Sequence, residues 1–183
     1  MPSRRHIALL RGINVGRARR LVMADLRAVV AGLGHSEVRT VLASGNVVFD
    51  VEGDRECAEL AAGLHEALDR DQGIRAGVTV LTADEFDGLV QANPLLDIGE
   101  VPARLLVVVP AEAERLAALA DLAGQDWSPD TLAVGPRAAY VWCPDGILGS
   151  RVLVAVERAL DGAVTSRNWS TVLKLHALAC PAT

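Results

Sequence analysis

Three stretches of this 183-residue chain combine residue types that could hold an anion. The first is the loop Arg11-Gly12-Ile13-Asn14-Val15-Gly16, continued by Arg17, Arg19 and Arg20. Its glycines let the backbone approach a ligand, and successive N–H groups with guanidinium forks suit phosphate or carboxylate. It is neither a P-loop, since G-x-x-x-x-G-K-[ST] is absent, nor a G-x-G-x-x-G dinucleotide loop. The second stretch, Ser44-Gly45-Asn46, is turn chemistry between two β-rich runs, with Asn46 suited to the left-handed conformation; a ligand contact is the alternative. Ser44 is not in a G-x-S-x-G elbow, so it has no support as a hydrolase nucleophile.

The third stretch runs from Ser166-Arg167-Asn168-Trp169 to Lys174. Ser166 or Asn168 can cap a helix there, and the free N–H groups and positive dipole end, strengthened by Arg167, form an anion site. Capping and an apolar stripe of Trp169, Val172, Leu175 and Ala179 explain the same residues without a ligand. Together the stretches nominate Arg11, Asn14, Ser44, Asn46, Arg167 and Asn168 as ligand-binding residues, expected to converge on an anion-accepting cleft between two halves of the chain.

Other chemistry has less footing. Lys174, the sole lysine, stands one turn from Ser170 and Thr171 and would activate either only if desolvated. No base, nucleophile and orienting group stand together in a motif, so the sequence assigns no reaction and no catalytic residue. His6, His35, His65 and His176 share no H-x-x-x-H spacing, and neither a metal nor a cofactor is expected. His176 reads as a hydrogen-bonded core or boundary residue. Acid pairs such as Glu56/Glu59 and Asp84/Asp87 sit at helix starts, where the dipole favours them.

Composition sets the frame for these candidates. With 51% hydrophobic but only 3% aromatic residues, the chain can bury a sizeable core built from Ala, Val, Leu and Ile. A net charge of −5 argues against general nucleic-acid binding. Yet Arg4, Arg5, Arg11, Arg17, Arg19 and Arg20 all precede the first acid, Asp25, so the amino end is basic and the remainder acidic. Cys57, Cys143 and Cys180 are odd in number and widely spaced, which suits a reducing compartment. The opening apolar run, about four residues, is short of the roughly 7 to 15 of a signal peptide, so a cytoplasmic, membrane-free protein is expected.

The elements that must carry the candidates follow from periodicity. Ile7 to Leu10 reads as a strand. Met23, Leu26, Val29, Val30 and Leu33 recur at helical spacing before Gly34. Val38–Ala43 and Val47–Val51 read as a hairpin, a helix that Asp54 can cap follows and ends near Gly73, and Val78–Leu81 is a strand. Thr82 and Glu85 form a capping box for a connecting helix that Asn93-Pro94 ends. The order then begins again: strand Leu105–Val109, helix Glu112–Leu122, strands Thr131–Val134 and Ala139–Cys143, a helix capped by Ser150, a short strand Ala163–Thr165, and a last helix from about Asn168. An α+β protein is expected, with two ferredoxin-like β-α-β-β-α-β halves, residues 1–93 and 94–183, plus connecting and C-terminal helices.

The segments Arg11-Gly12-Ile13-Asn14-Val15-Gly16, Ser44-Gly45-Asn46-Val47-Val48-Phe49 and Ser166-Arg167-Asn168-Trp169-Ser170-Thr171-Val172-Leu173-Lys174-Leu175 together resemble the bacterial family called domain of unknown function 1697. The resemblance implies two ferredoxin-like halves in one chain and brings no established activity. Three functions compete: a module binding a small anionic ligand or nucleotide phosphate, a homodimeric assembly or regulatory protein using sheet edges, and an enzyme acting on an anionic metabolite.

Overall fold

A computed structural model describes residues 3–14 and 20–181, and no helix among them is long and apolar enough to cross a membrane. The first sheet comprises β1 (Ser3–Arg11), β2 (Ser36–Val41), β3 (Asn46–Glu52) and β4 (Gly77–Thr82) in the order β2-β3-β1-β4. All its neighbours are antiparallel. Helices α1 (Met23–Gly32) and α2 (Cys57–Gln72) connect β1 to β2 and β3 to β4. Alternation along the strands turns Ala8, Leu10, Val47, Phe49 and Val80 toward Leu26, Val30, Leu60, Leu64 and Leu68 of these helices, forming one core.

The second sheet comprises β5 (Leu105–Pro110), β6 (Thr131–Val134), β7 (Ala139–Trp142) and β8 (Val164–Asn168), in the order β6-β7-β5-β8, again antiparallel throughout. Its core joins Leu106, Val108, Val141 and Cys143 to Leu116, Leu119, Val152 and Val156. The remaining helices are α3 (Ala83–Gln91), α4 (Ala120–Ala123), α5 (Arg151–Ala159) and α6 (Trp169–Ala179). The fold is thus mixed α/β with two four-stranded antiparallel sheets. The expected helix over Glu112–Leu122 is instead a 3-10 segment, Ala113–Leu119, that becomes α-helical only at α4.

Two compact units result: residues up to Phe86 with those from Lys174 on, and Asp87–Leu173. The division falls inside α3, whereas the sequence reading places it between residues 93 and 94. The Asn93-Pro94 stop ends a helix without ending a packing unit. The chain's end belongs to the first unit because Arg5 donates to Leu178 O at 3.2 Å and Cys180 Sγ to Ala83 O at 3.4 Å. Arg5 is itself held bidentately by its cross-strand partner Asp50, at 2.8 and 3.2 Å, which raises its pKa.

Local signals place the helix ends. Gly34 (φ 86°) and Gly73 (φ 63°) leave α1 and α2 through the left-handed region. Thr82 and Glu85 form the reciprocal capping box, with Glu85 N to Thr82 Oγ1 at 3.1 Å and Thr82 N to Glu85 Oε2 at 2.9 Å. Asp54 does not cap α2; the position before the helix is Glu56, with no side-chain cap.

On the strands beside Thr82, Phe49 packs near two histidines, with ring centroids 6.0 Å from His6 and 5.0 Å from His35. Burial lowers the His35 pKa from 6.5, and Arg55 and His6 add to the shift. Below pH 6.5 the unfolded chain therefore takes up a proton at residue 35 that the folded chain refuses. Stability is fully present above that pH and falls with pH until the lower folded value is passed. Urea midpoints from neutral to acid pH should fall more steeply for the parent than for His35→Gln. Parallel curves would remove His35 as the cause.

Candidate functional site

The loop after β1 is organised by one side chain. Asn14, in the left-handed region at φ 56°, accepts from Leu21 N at 2.7 Å and donates to Leu21 O at 3.3 Å and Ala43 O at 3.1 Å. It thereby closes the chain between residues 14 and 21 and ties that closure to the β2–β3 hairpin. Both Nδ2 donors are thus engaged within the protein. Gly16, Arg17 and Arg19 of the expected anion loop lie outside the described residues.

The hairpin fits against this loop from the other side. Leu10 N donates to Gly45 O at 2.8 Å. Gly45 (φ 75°) is so close that a Cβ there would stand 2.6 Å from Ile13 Cδ1 and 2.7 Å from Leu10 Cβ. The left-handed residues of the turn are Leu42 (φ 58°) and Gly45, not Asn46. Asn46 begins β3 and is fully buried, its Nδ2 donating to Val41 O and Ser44 Oγ, each at 2.9 Å. Asn14, Ser44 and Asn46 thus come together as a hydrogen-bonded brace.

Arg11 takes a different direction. β1 lies between β3 and β4, and the Arg11 guanidinium reaches over Gly77 of β4, on the side away from the hairpin. A Cβ at Gly77 would stand 3.1 Å from Arg11 Nε and 3.2 Å from Nη2, so the missing side chain makes room for it. Arg11 and Arg20 are exposed. Neither side chain makes a hydrogen bond or ion pair among the described residues, whereas Arg4, Arg5, Arg39, Arg70, Arg75 and Arg115 all pair with acids. Arg20 escaped the list of candidates because a run of arginines does not show which member stays uncommitted.

Arg167 and Asn168 belong to the second unit, at the junction of β8 and α6. Asn168 Oδ1 accepts from Thr171 N at 2.9 Å and Thr171 Oγ1 at 2.8 Å, so of the two cap residues the sequence offers, Ser166 and Asn168, it is Asn168 that caps α6. Arg167 Nη1 donates to Thr165 Oγ1 and Ser166 O, each at 2.8 Å, and burial brings its pKa down to about 10. Lys174 is exposed, which leaves the desolvated-lysine activation of Ser170 or Thr171 without its premise.

The two antiparallel sheets with their helices define a mixed α/β protein. Residues 3–140 match the family described as Protein of unknown function (DUF1697), and the chain belongs to it. A solved structure of a conserved bacterial protein from Streptococcus pneumoniae is similar over 97% of this chain and 99% of that one, with TM-score 0.77 and 22% identity; the shared property is the fold. A protein from Bacteroides thetaiotaomicron aligns over 94% of this chain and 96% of its own at 12% identity, with a TM-score of 0.22. No curated protein matches this chain.

Proposed function

We propose that this protein binds a small anion, a phosphate or carboxylate group of a metabolite, at the loop edge of its first unit, on a scaffold of two duplicated ferredoxin-like units. The scaffold reading is supported by the strand orders β2-β3-β1-β4 and β6-β7-β5-β8, which are the same order shifted by four strands. The observation that carries the anion reading is the pair of exposed, uncommitted guanidiniums of Arg11 and Arg20, either side of a loop that Asn14 closes. In this reading Arg11 and Arg20 meet the anion, Asn14, Ser44 and Asn46 brace the loop, and Arg167 and Asn168 stabilise the start of α6.

Calorimetric titration with inorganic phosphate, pyrophosphate and a nucleoside triphosphate tests this directly. Arg11→Ala and Arg20→Ala should each weaken binding by about tenfold, near 1.4 kcal/mol. Arg70→Ala, whose parent arginine pairs with the neighbouring Asp71, should not. Affinity should fall with salt, because exposed charge is screened over about 8 to 10 Å. Gly77→Ala keeps every charge but displaces the Arg11 guanidinium, so it should weaken binding while leaving the backbone unstrained. Equal affinities across all four variants would end the reading.

A further inference from the structure

The second unit carries an unrelated cavity of about 170 Å³. Trp127 and Asp130 lie before β6, Asp145 and Leu148 in the loop after β7, and Ser150 and Arg151 at the start of α5; all six line it. This volume is below the roughly 300–1,000 Å³ of pockets that enclose drug-sized ligands, so an occupant would be small.

Its walls carry both signs of charge without cancelling them. Arg151 forms no ion pair with Asp130 or Asp145, and neither Arg151 nor Asp145 has a side-chain hydrogen-bond partner among the described residues. Asp130 is fixed in place: its Oδ2 accepts from Ser150 Oγ at 2.7 Å, and the same oxygen of Ser150 accepts from Leu153 N at 3.3 Å. Ser150 is only 7% exposed, so this support is built into the fold and leaves Asp130 Oδ1 for another donor. Trp127 donates its Nε1–H to Leu122 O at 2.7 Å, which holds the indole at the cavity wall, where a π-face attracts a cation. Gly146 (φ 105°) and Gly149 (φ 82°) shape the loop around the opening, with nothing within 4 Å of either missing Cβ. Leu148 between them is 95% exposed, an apolar side chain standing at the rim.

A simple anion would meet two carboxylates, and a simple cation would meet Arg151. A molecule with both charges can satisfy each wall. We propose that this cavity binds a free amino acid, with its ammonium at Asp130, Asp145 and the Trp127 ring, its carboxylate at Arg151, and an apolar side chain toward Leu148.

Heteronuclear NMR titration of the full chain with leucine, glycine, acetate and methylammonium separates the alternatives. Saturable shifts at the Trp127 indole and the residue 145–151 backbone are expected with leucine, weaker ones with glycine, and binding at least about tenfold weaker with either singly charged probe. Arg151→Gln and Asp130→Asn should each reduce leucine affinity by about tenfold or more. Because Arg151 is exposed, its variant should keep the parent's spectrum elsewhere and so report binding rather than folding. The proposal is overturned if leucine shifts nothing at this cavity, if acetate or methylammonium binds as well as leucine, or if folded Arg151→Gln binds leucine like the parent. None of these outcomes bears on the arginine edge of the first unit, which the phosphate titrations address separately.

Discussion

Gly45→Ala should destabilise the protein by about 2 to 5 kcal/mol, from two independent terms. The first is backbone conformation: Gly45 sits at φ 75°, where an L side chain costs roughly 1 to 2 kcal/mol. The second is space, since the new Cβ would lie 2.6 Å from Ile13 Cδ1 and 2.7 Å from Leu10 Cβ. Ile13 Cδ1 ends a flexible side chain and can yield. Leu10 Cβ is fixed to the β1 backbone, whose N–H donates to Gly45 O, so relief there requires moving the hairpin from the strand. Overpacking of this kind costs about 1 to 3 kcal/mol. Gly34→Ala serves as the comparison, because Gly34 has a similar φ of 86° but nothing within 4 Å of the added atom. Its loss in a urea denaturation should contain only the conformational term. Equal midpoints for the two variants would show that the contact with Leu10 and Ile13 is not tight in solution.

The contrast between those glycines shows where sequence reasoning stops. The Thr82/Glu85 box, the Ser150 and Asn168 caps and the Gly73 exit were legible because each is formed by residues about three apart along the chain, and such chemistry leaves a spacing in the sequence. The succession of strands and helices along the chain was inferable from alternation and helix stripes, which determine what each element must bury; the order of strands within each sheet was not. Asn14 was different. Its partners are the backbone groups of Leu21 and Ala43, and every residue has such groups, so no residue type marks the target. The sequence offered this asparagine as a ligand contact, and its side chain is engaged with the backbone of Leu21 and Ala43.

The direction of Arg11 was hidden for a related reason. Its position past a buried strand was readable, but its course depends on the absence of a side chain at Gly77, brought alongside only by the β1–β4 register. Assigning the left-handed turn residue to Asn46 followed general preference; burial overrides it, since Asn46 is needed as an internal donor to Val41 O and Ser44 Oγ. That leaves the strain on Leu42, a leucine at φ 58° that is 52% exposed.

Trp169→Ala should cost about 3 to 5 kcal/mol, the range for removing a buried large aromatic side chain. Trp169 is 6% exposed and begins α6, ahead of Val172, Leu175 and Ala179, all buried on the same stripe. Its backbone N–H donates to Pro102 O at 3.0 Å, and Asn168 before it caps the helix, so the position of the indole is set by main-chain bonds the mutation leaves in place. The surroundings therefore cannot easily collapse into the space, which favours the upper part of the range. Against the 5 to 15 kcal/mol of total stability common to domains, roughly a third or more would be lost. Trp169→Phe retains most of the apolar area and should lose less than half as much. The measurement is the urea midpoint of each variant beside the parent, with Trp127 and Trp142 left as fluorescent reporters. If Trp169→Ala unfolds at the parent's midpoint, the indole does not anchor α6. A loss with Trp169→Phe equal to that with Ala would instead assign the energy to the indole's shape rather than to buried apolar area.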